Sequence, residues 1–203
     1  LKREISGPQI HVNRIEALTD GVFAIAMTIL VLSLEVPSRN QITSQSELVQ
    51  NVMGKGYQFM SYFISFFVIG SIWISTIRRT HILRKTDYKH FWLNMLNLFF
   101  VTTIPFTTSL MGDYGEFEFA ELLFHFNILV LEIIALVQWQ NLINNRDLIR
   151  EDAIDDANLI YYRKVYIFHV IVPLLGVAVS VFTPVWSNLV YLVIFFRVFF
   201  IRR

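Results

Sequence analysis

Charged side chains inside apolar runs are the first candidates for chemistry in this chain. Glu132 stands within the apolar run 122–143 and Arg197 within the run 185–201, while Arg14, Glu16 and Asp20 crowd the start of a stretch that then reaches Leu34 without a charge. In a bilayer such groups must be paired, hydrated or drawn to the interface, so by default they mark a functional site or an interhelical clasp. At about 1.5 Å per residue, Glu132 lies roughly 19 Å into its run and Arg197 roughly 18 Å into its own. Equal depth makes them a candidate intramembrane charge pair; separate snorkelling, or a water pocket for each, is the other reading.

Enzymatic chemistry finds no such foothold. There is no HExxH, no GxSxG and no glycine-rich phosphate loop, and His11, His81, His90, His125 and His169 lack metal-ligand spacing. The absence of cysteine excludes disulfides, thiolate metal sites and thiol nucleophiles. Gly112 to Glu116, GDYGE, has a superficial likeness to a carbonyl selectivity filter but lacks the TVGYG run whose carbonyls would replace hydration water, so it is expected to be a loop. A net charge of +1 gives no electrostatic case for nucleic acid, because the Lys and Arg sit in short clusters beside apolar runs. No enzyme is expected.

The elements that must position these residues follow from composition. The 203 residues are 55% hydrophobic with mean hydropathy +0.52, and 19 phenylalanines are hard to bury in one water-soluble core of this size. We expect an all-α, polytopic membrane protein forming a single domain over 1–203, with six transmembrane helices at about 14–36, 57–77, 91–111, 122–143, 165–182 and 185–201. A polar connection follows Pro37, and the mixed-charge segment NNRDLIREDAIDDANLIYYRK suits an exposed helix or loop. The last two spans meet in a tight hairpin at Thr183-Pro184. Lys and Arg concentrate at the N-terminus, in the second-to-third and fourth-to-fifth loops and at the C-terminus, which predicts both termini to be cytoplasmic. The loop carrying Asp113, Glu116, Glu118 and Glu121 has no Lys or Arg and is expected outside. The opening on Leu1 rather than Met leaves room for residues upstream. No cleaved leader is expected, because the first apolar run is long and no small-residue cleavage pattern follows it.

Within the first span, helical geometry places Leu18, Gly21, Ile25, Ile29 and Leu32 on one side with Thr28 at its edge, and turns Asp20 and Met27 elsewhere. An isolated apolar stripe of this kind most often packs against neighbouring helices. The surrounding motif favours another use. RIEALTDGVFAIAMTILVL resembles the first-helix motif of the transmembrane protein 175 family of potassium-permeable channels, whose signature is Arg, about three residues, then Phe-Ser-Asp. Trp73 and the stretch WLNMLNLFFVTTIPFTTSL, Trp92 to Leu110, are similar to that family's second and third helices, with Leu93-Asn94 and Pro105 to Thr108 at the matching places. Two departures stand out: Leu18-Thr19-Asp20 keeps the hydroxyl and carboxylate of Phe-Ser-Asp but not the ring, and ISTIRRTH follows Trp73 where a nearer histidine is often seen, putting the histidine at His81.

The resemblance implies a homotetramer without a P-loop, in which the first helices of four subunits line the pore. It places the pore constriction at Ile25, further apolar layers at Ile29 and Leu32, and the hydroxyl position at Thr28. It also implies a hydrogen-bonded clasp around the first helix made by Arg14, Thr19, Asp20, Trp73 and Asn94. The expected protein is thus a potassium-permeable cation channel that carries monovalent cations through the bilayer of a prokaryotic cell membrane, with K+ as permeating ion, no cofactor, no other metal and no nucleic-acid partner. Asp113, Glu116, Glu118 and Glu121 would form an acidic outer mouth that enriches cations. Two other classes stay open: a proton- or cation-coupled transporter using Glu132 and His125 as a relay, and a non-conducting membrane scaffold.

Overall fold

The computed structural model describes residues 11–194 of the 203. Its helices run in the order α1 (Val12–Ile29), α2 (Gln45–Gly54), α3 (Gly56–His81), α4 (Tyr88–Tyr114), α5 (Glu118–Asn144) and α6 (Asp156–Ser180). A 3-10 turn at Leu30–Ser33 continues α1, and a 3-10 segment at Pro184–Ile194 closes the described chain. In hydrocarbon every backbone polar group must bond within the protein, and long apolar runs meet that demand as helices. Among the described residues five elements are long and apolar enough to cross a membrane: α1 with its 3-10 turn, and α3 to α6. The sixth expected span is only partly described: Pro184–Ile194 is a shorter apolar segment, and residues 195–203 lie outside the described residues.

Capping side chains, rather than the edges of apolar runs, set where several helices begin. α4 starts at Tyr88 because the Asp87 carboxylate accepts from the His90 main-chain N–H at 2.6 Å. α6 starts at Asp156, well ahead of the expected position 165, because Asp155 accepts from the Asn158 N–H at 2.7 Å. The mixed-charge segment is therefore part loop and part helix. The polar connection after Pro37 carries α2, which a reciprocal cap starts. The Glu47 N–H donates to Ser44 Oγ at 3.3 Å, and the Glu47 carboxylate accepts from the Thr43 N–H at 2.8 Å and the Thr43 hydroxyl at 2.9 Å. These donors, the Thr43 main chain first, hold the Glu47 carboxyl below the ordinary glutamate range.

α5 packs between α4 and α6, and α1 lies against α3 and α4. Phe23, Ile69, Val101, Ile104, Phe124 and Leu131 form the centre of the main core. Lipid offers apolar side chains as good a solvent as the core does, so close packing and polar contacts hold these helices together rather than the hydrophobic effect. A second cluster gathers at one end of the bundle, where Trp139 donates its indole N–H to the Leu159 carbonyl at 3.2 Å. There the α3–α4 loop and the loop after α5 are joined by an isolated antiparallel bridge between Leu83 and Ile149, both buried.

Candidate functional site

α1 has two unlike faces. Ile15, Thr19, Phe23 and Ala26, followed by Leu30 and Ser33 in the 3-10 turn, are buried against the bundle. On the other side Leu18 is 48% exposed, Ile25 59%, Ile29 44% and Leu32 76%, so the stripe expected from spacing is uncovered within one chain. Thr28 is also exposed, and its hydroxyl donates to the Ile25 carbonyl at 2.9 Å. The helix thus uses the hydroxyl hydrogen, and the lone pairs of Oγ1 are what Thr28 has left to offer a cation. Met27 is half-buried and turned to α3, its Cε 4.0 Å from where a Cβ on Gly70 would stand.

Two polar contacts tie α1 to its neighbours. Trp73 on α3 donates its indole N–H to Asp20 Oδ1 at 2.9 Å. Asn94 on α4 donates to Thr19 Oγ1 at 3.1 Å, with both side chains buried. Four of the five clasp residues are therefore brought together in pairs. Arg14 is the exception: it is exposed and makes no ion pair among the described residues. Six positions before Asp20, it projects about 120° away from it around the helix.

The acidic-mouth expectation needs correction at Glu121. Glu116 and Glu118 are exposed, and Asp113 accepts from Gln58 Nε2 at 2.6 Å, but Glu121 is completely buried. Its carboxylate accepts from the Tyr57 hydroxyl and, at 2.9 Å, from the Ser187 hydroxyl. One turn on, His125 bonds Ser187 Oγ and the Tyr191 hydroxyl, each at 2.9 Å, and Asn188 donates to Tyr57 at 3.4 Å. α5 turns Glu121 and His125 to its packed side; Glu118, only about 20° from His125 around the helix, is exposed because it is the first residue of α5, a turn before Glu121. Gly176 on α6 leaves the space His125 occupies, since a Cβ there would stand 2.5 Å from the imidazole. The Glu-x-x-x-His spacing was the available signal for this cluster.

Glu132 faces His169 on α6, with Nδ1 3.4 Å from Oε1. Arg197, the expected partner, lies outside the described residues. Sequence reasoning also passed over Arg79. It is buried, donating to Ser75 at 3.2 Å and Thr76 at 2.7 Å, with its guanidinium 5.4 Å from the Tyr166 ring centre. Its position in the last turn of α3 puts the cation at the negative end of the helix dipole.

Taken together, these features define an all-helical, multi-span membrane protein whose first helix is fastened on one face and bare on the other. Comparison with known proteins shows what this chain is similar to. A family profile described as "Endosomal/lysosomal potassium channel TMEM175" matches residues 14–105. A potassium channel of Chamaesiphon minutus is 37% identical over 106 residues, 52% of this chain and 52% of that one. The endosomal/lysosomal proton channel TMEM175 of Mus musculus is 34% identical over 97 residues, 45% of this chain and 19% of that one. The crystal structure of a lysosomal potassium-selective channel TMEM175 homolog from Chamaesiphon minutus superposes with a TM-score of 0.80 at 26% identity, covering 95% of this chain and 98% of that one. The sequence match thus spans about half the length of the bacterial relative and about a fifth of the murine one. The resemblance carried by Arg14 to Asp20, Trp73 and Trp92 to Leu110 is borne out: this chain is similar to the TMEM175 channels, in sequence over about its first half and in fold over nearly its whole length.

Proposed function

We propose that this chain is one subunit of a homotetrameric, potassium-permeable cation channel whose pore is lined by four copies of α1. The observation that carries the reading is the bare stripe Leu18, Ile25, Ile29 and Leu32, on a helix whose opposite face is fully packed and within the segment that matches the family profile. A ring of Ile25 would strip or squeeze the hydration shell of a passing cation. Four Thr28 oxygens, their hydrogens held by the Ile25 carbonyls, would offset part of that loss. Asp20 to Trp73 and Thr19 to Asn94 would fix the radius of the ring by fixing the helix. Asp113, Glu116 and Glu118 remain available as an acidic outer vestibule. The likeness to bacterial relatives and the basic loops support a prokaryotic cell membrane with both termini cytoplasmic.

A proton-coupled transporter would need His125 and Glu132 in one relay. His125 bonds Ser187 and Tyr191 and Glu132 faces His169, and the Glu132 charge acts on Tyr191, so the bilayer measurement rather than the contacts decides between the two readings. The test is current from purified protein in planar bilayers with asymmetric potassium and sodium. A passive current reversing toward the potassium equilibrium potential supports the channel. Saturating transport driven by a pH gradient, or silent bilayers, would overturn it.

A further inference from the structure

The start of α1, the end of α3 and two loops enclose a cavity of about 580 Å³ at one end of the bundle. Asn13 and Glu16 line it from α1, and Arg84, Lys85 and Arg150 from the loops. The two loops come from distant parts of the sequence, and the Leu83–Ile149 bridge pins them together. The Arg84 N–H donates to the Leu148 carbonyl at 2.8 Å, and the Arg150 N–H to the Ile82 carbonyl at 3.0 Å. Each arginine is thus the residue next to the bridge on its own strand. Buried Ile82, Leu83, Leu148 and Ile149 anchor the pair from beneath.

The guanidiniums are held by neutral main-chain oxygens rather than by acids. Arg84 Nη2 donates to the Asp147 carbonyl at 3.0 Å and Arg150 Nη2 to the His81 carbonyl. Neither makes an ion pair among the described residues. Lys85 is different: it pairs with Asp147 at 2.8 Å, and this contact holds the Asp147 carboxyl below the ordinary aspartate range. The cavity therefore presents two oriented forks with unused N–H donors, opposed by Glu16 on its own walls and by the Asp147 carboxylate, whose charge Arg84 shares with Lys85. Oriented forks of this kind match the paired oxygens of a phosphate group, and their fixed geometry lowers the ordering cost of binding.

We propose that this cavity binds a phosphate-bearing anion, held by Arg84 and Arg150, and that the bound anion clamps the start of α1 to the pinned loops. The site lies at the ends of three apolar helices, α1, α3 and α4, so either a headgroup phosphate or a soluble phosphate could supply the ligand. The binding step stands independently of the channel reading; only the effect on current rests on it.

Binding is measured on the intact detergent-purified protein by calorimetry with inorganic pyrophosphate, and by the shift in melting temperature on adding phosphatidylcholine micelles with and without phosphatidylglycerol. Saturable pyrophosphate binding identifies a soluble source, and a response confined to phosphatidylglycerol identifies a lipid source. The double variant Arg84→Gln, Arg150→Gln should weaken whichever signal is seen at least tenfold. Asn13→Glu, which adds a carboxylate to the cavity wall without touching an anchor, should weaken it several-fold while the protein keeps its melting temperature. Arg163→Gln, exposed on α6, should leave it unchanged. No response to either probe in the unsubstituted protein, or a response that survives both the double variant and Asn13→Glu, would overturn the site. Binding that leaves the current of a conducting protein unaltered would overturn the clamp.

Discussion

Two donors converge on the Glu121 carboxylate, the hydroxyls of Tyr57 and Ser187, in a place with no exposed surface. A buried donor that loses its acceptor costs about 1 to 3 kcal/mol, so the consequence of substitution depends on what replaces the acceptor rather than on the charge alone. Glu121→Gln keeps one acceptor oxygen and should lower thermal stability modestly. Glu121→Leu removes the acceptor that both hydroxyls share and should lower it further, while Glu118→Gln, exposed one turn earlier, should barely register. Melting curves of detergent-purified protein check the order. A Glu121→Leu protein that melts with the parent would mean that the carboxylate faces water after all.

Helix α1 depends on α3 and α4 for its placement, through Trp73 and Asn94. Asn94→Leu should strip buried Thr19 of its partner at a cost of about 1 to 3 kcal/mol, lowering the melting temperature and broadening single-channel conductance levels as α1 loosens. Arg14→Gln, with no described ion pair to lose, should change neither. Equal effects from the two would put Arg14 inside the clasp. Much of this element-level organisation was legible beforehand: the bare face of α1 follows from helical spacing, and the Thr19, Asp20, Trp73 and Asn94 positions from the motif. The starts of α2, α4 and α6 were less so, because Ser44, Asp87 and Asp155 lie in polar sequence outside the apolar runs that hydropathy follows. The cluster at Glu121 was misassigned for a related reason. An acidic residue near a run's edge can fall on either side of a helix, and only the packing of α5 against Tyr57 and the Pro184–Ile194 segment decides which.

At the scale of the whole molecule, the account requires an orientation and an assembly. The chain has no cysteine of its own, so single-cysteine labelling is clean. Lys85→Cys should be modified only from the cytoplasmic side and Phe117→Cys only from outside, both positions being exposed, and the reverse pattern would contradict the reading of the basic loops. The assembly is tested most directly at its narrowest ring, by the bi-ionic potassium and sodium reversal potential of Ile25→Ala beside Thr28→Val and Met27→Leu. Shortening Ile25 widens the pore where dehydration occurs, so the barrier for strongly hydrated sodium should fall more than that for potassium, and selectivity should drop as current rises. Thr28→Val keeps the volume but removes an oxygen from each subunit, and current should fall as a cation loses compensation of about 1 to 3 kcal/mol per partner. Met27 faces α3, and Leu in its place should shift the reversal potential little. A Met27→Leu channel with altered selectivity, alongside an Ile25→Ala channel whose reversal potential is unchanged, would contradict the claim that this face of α1 lines the pore.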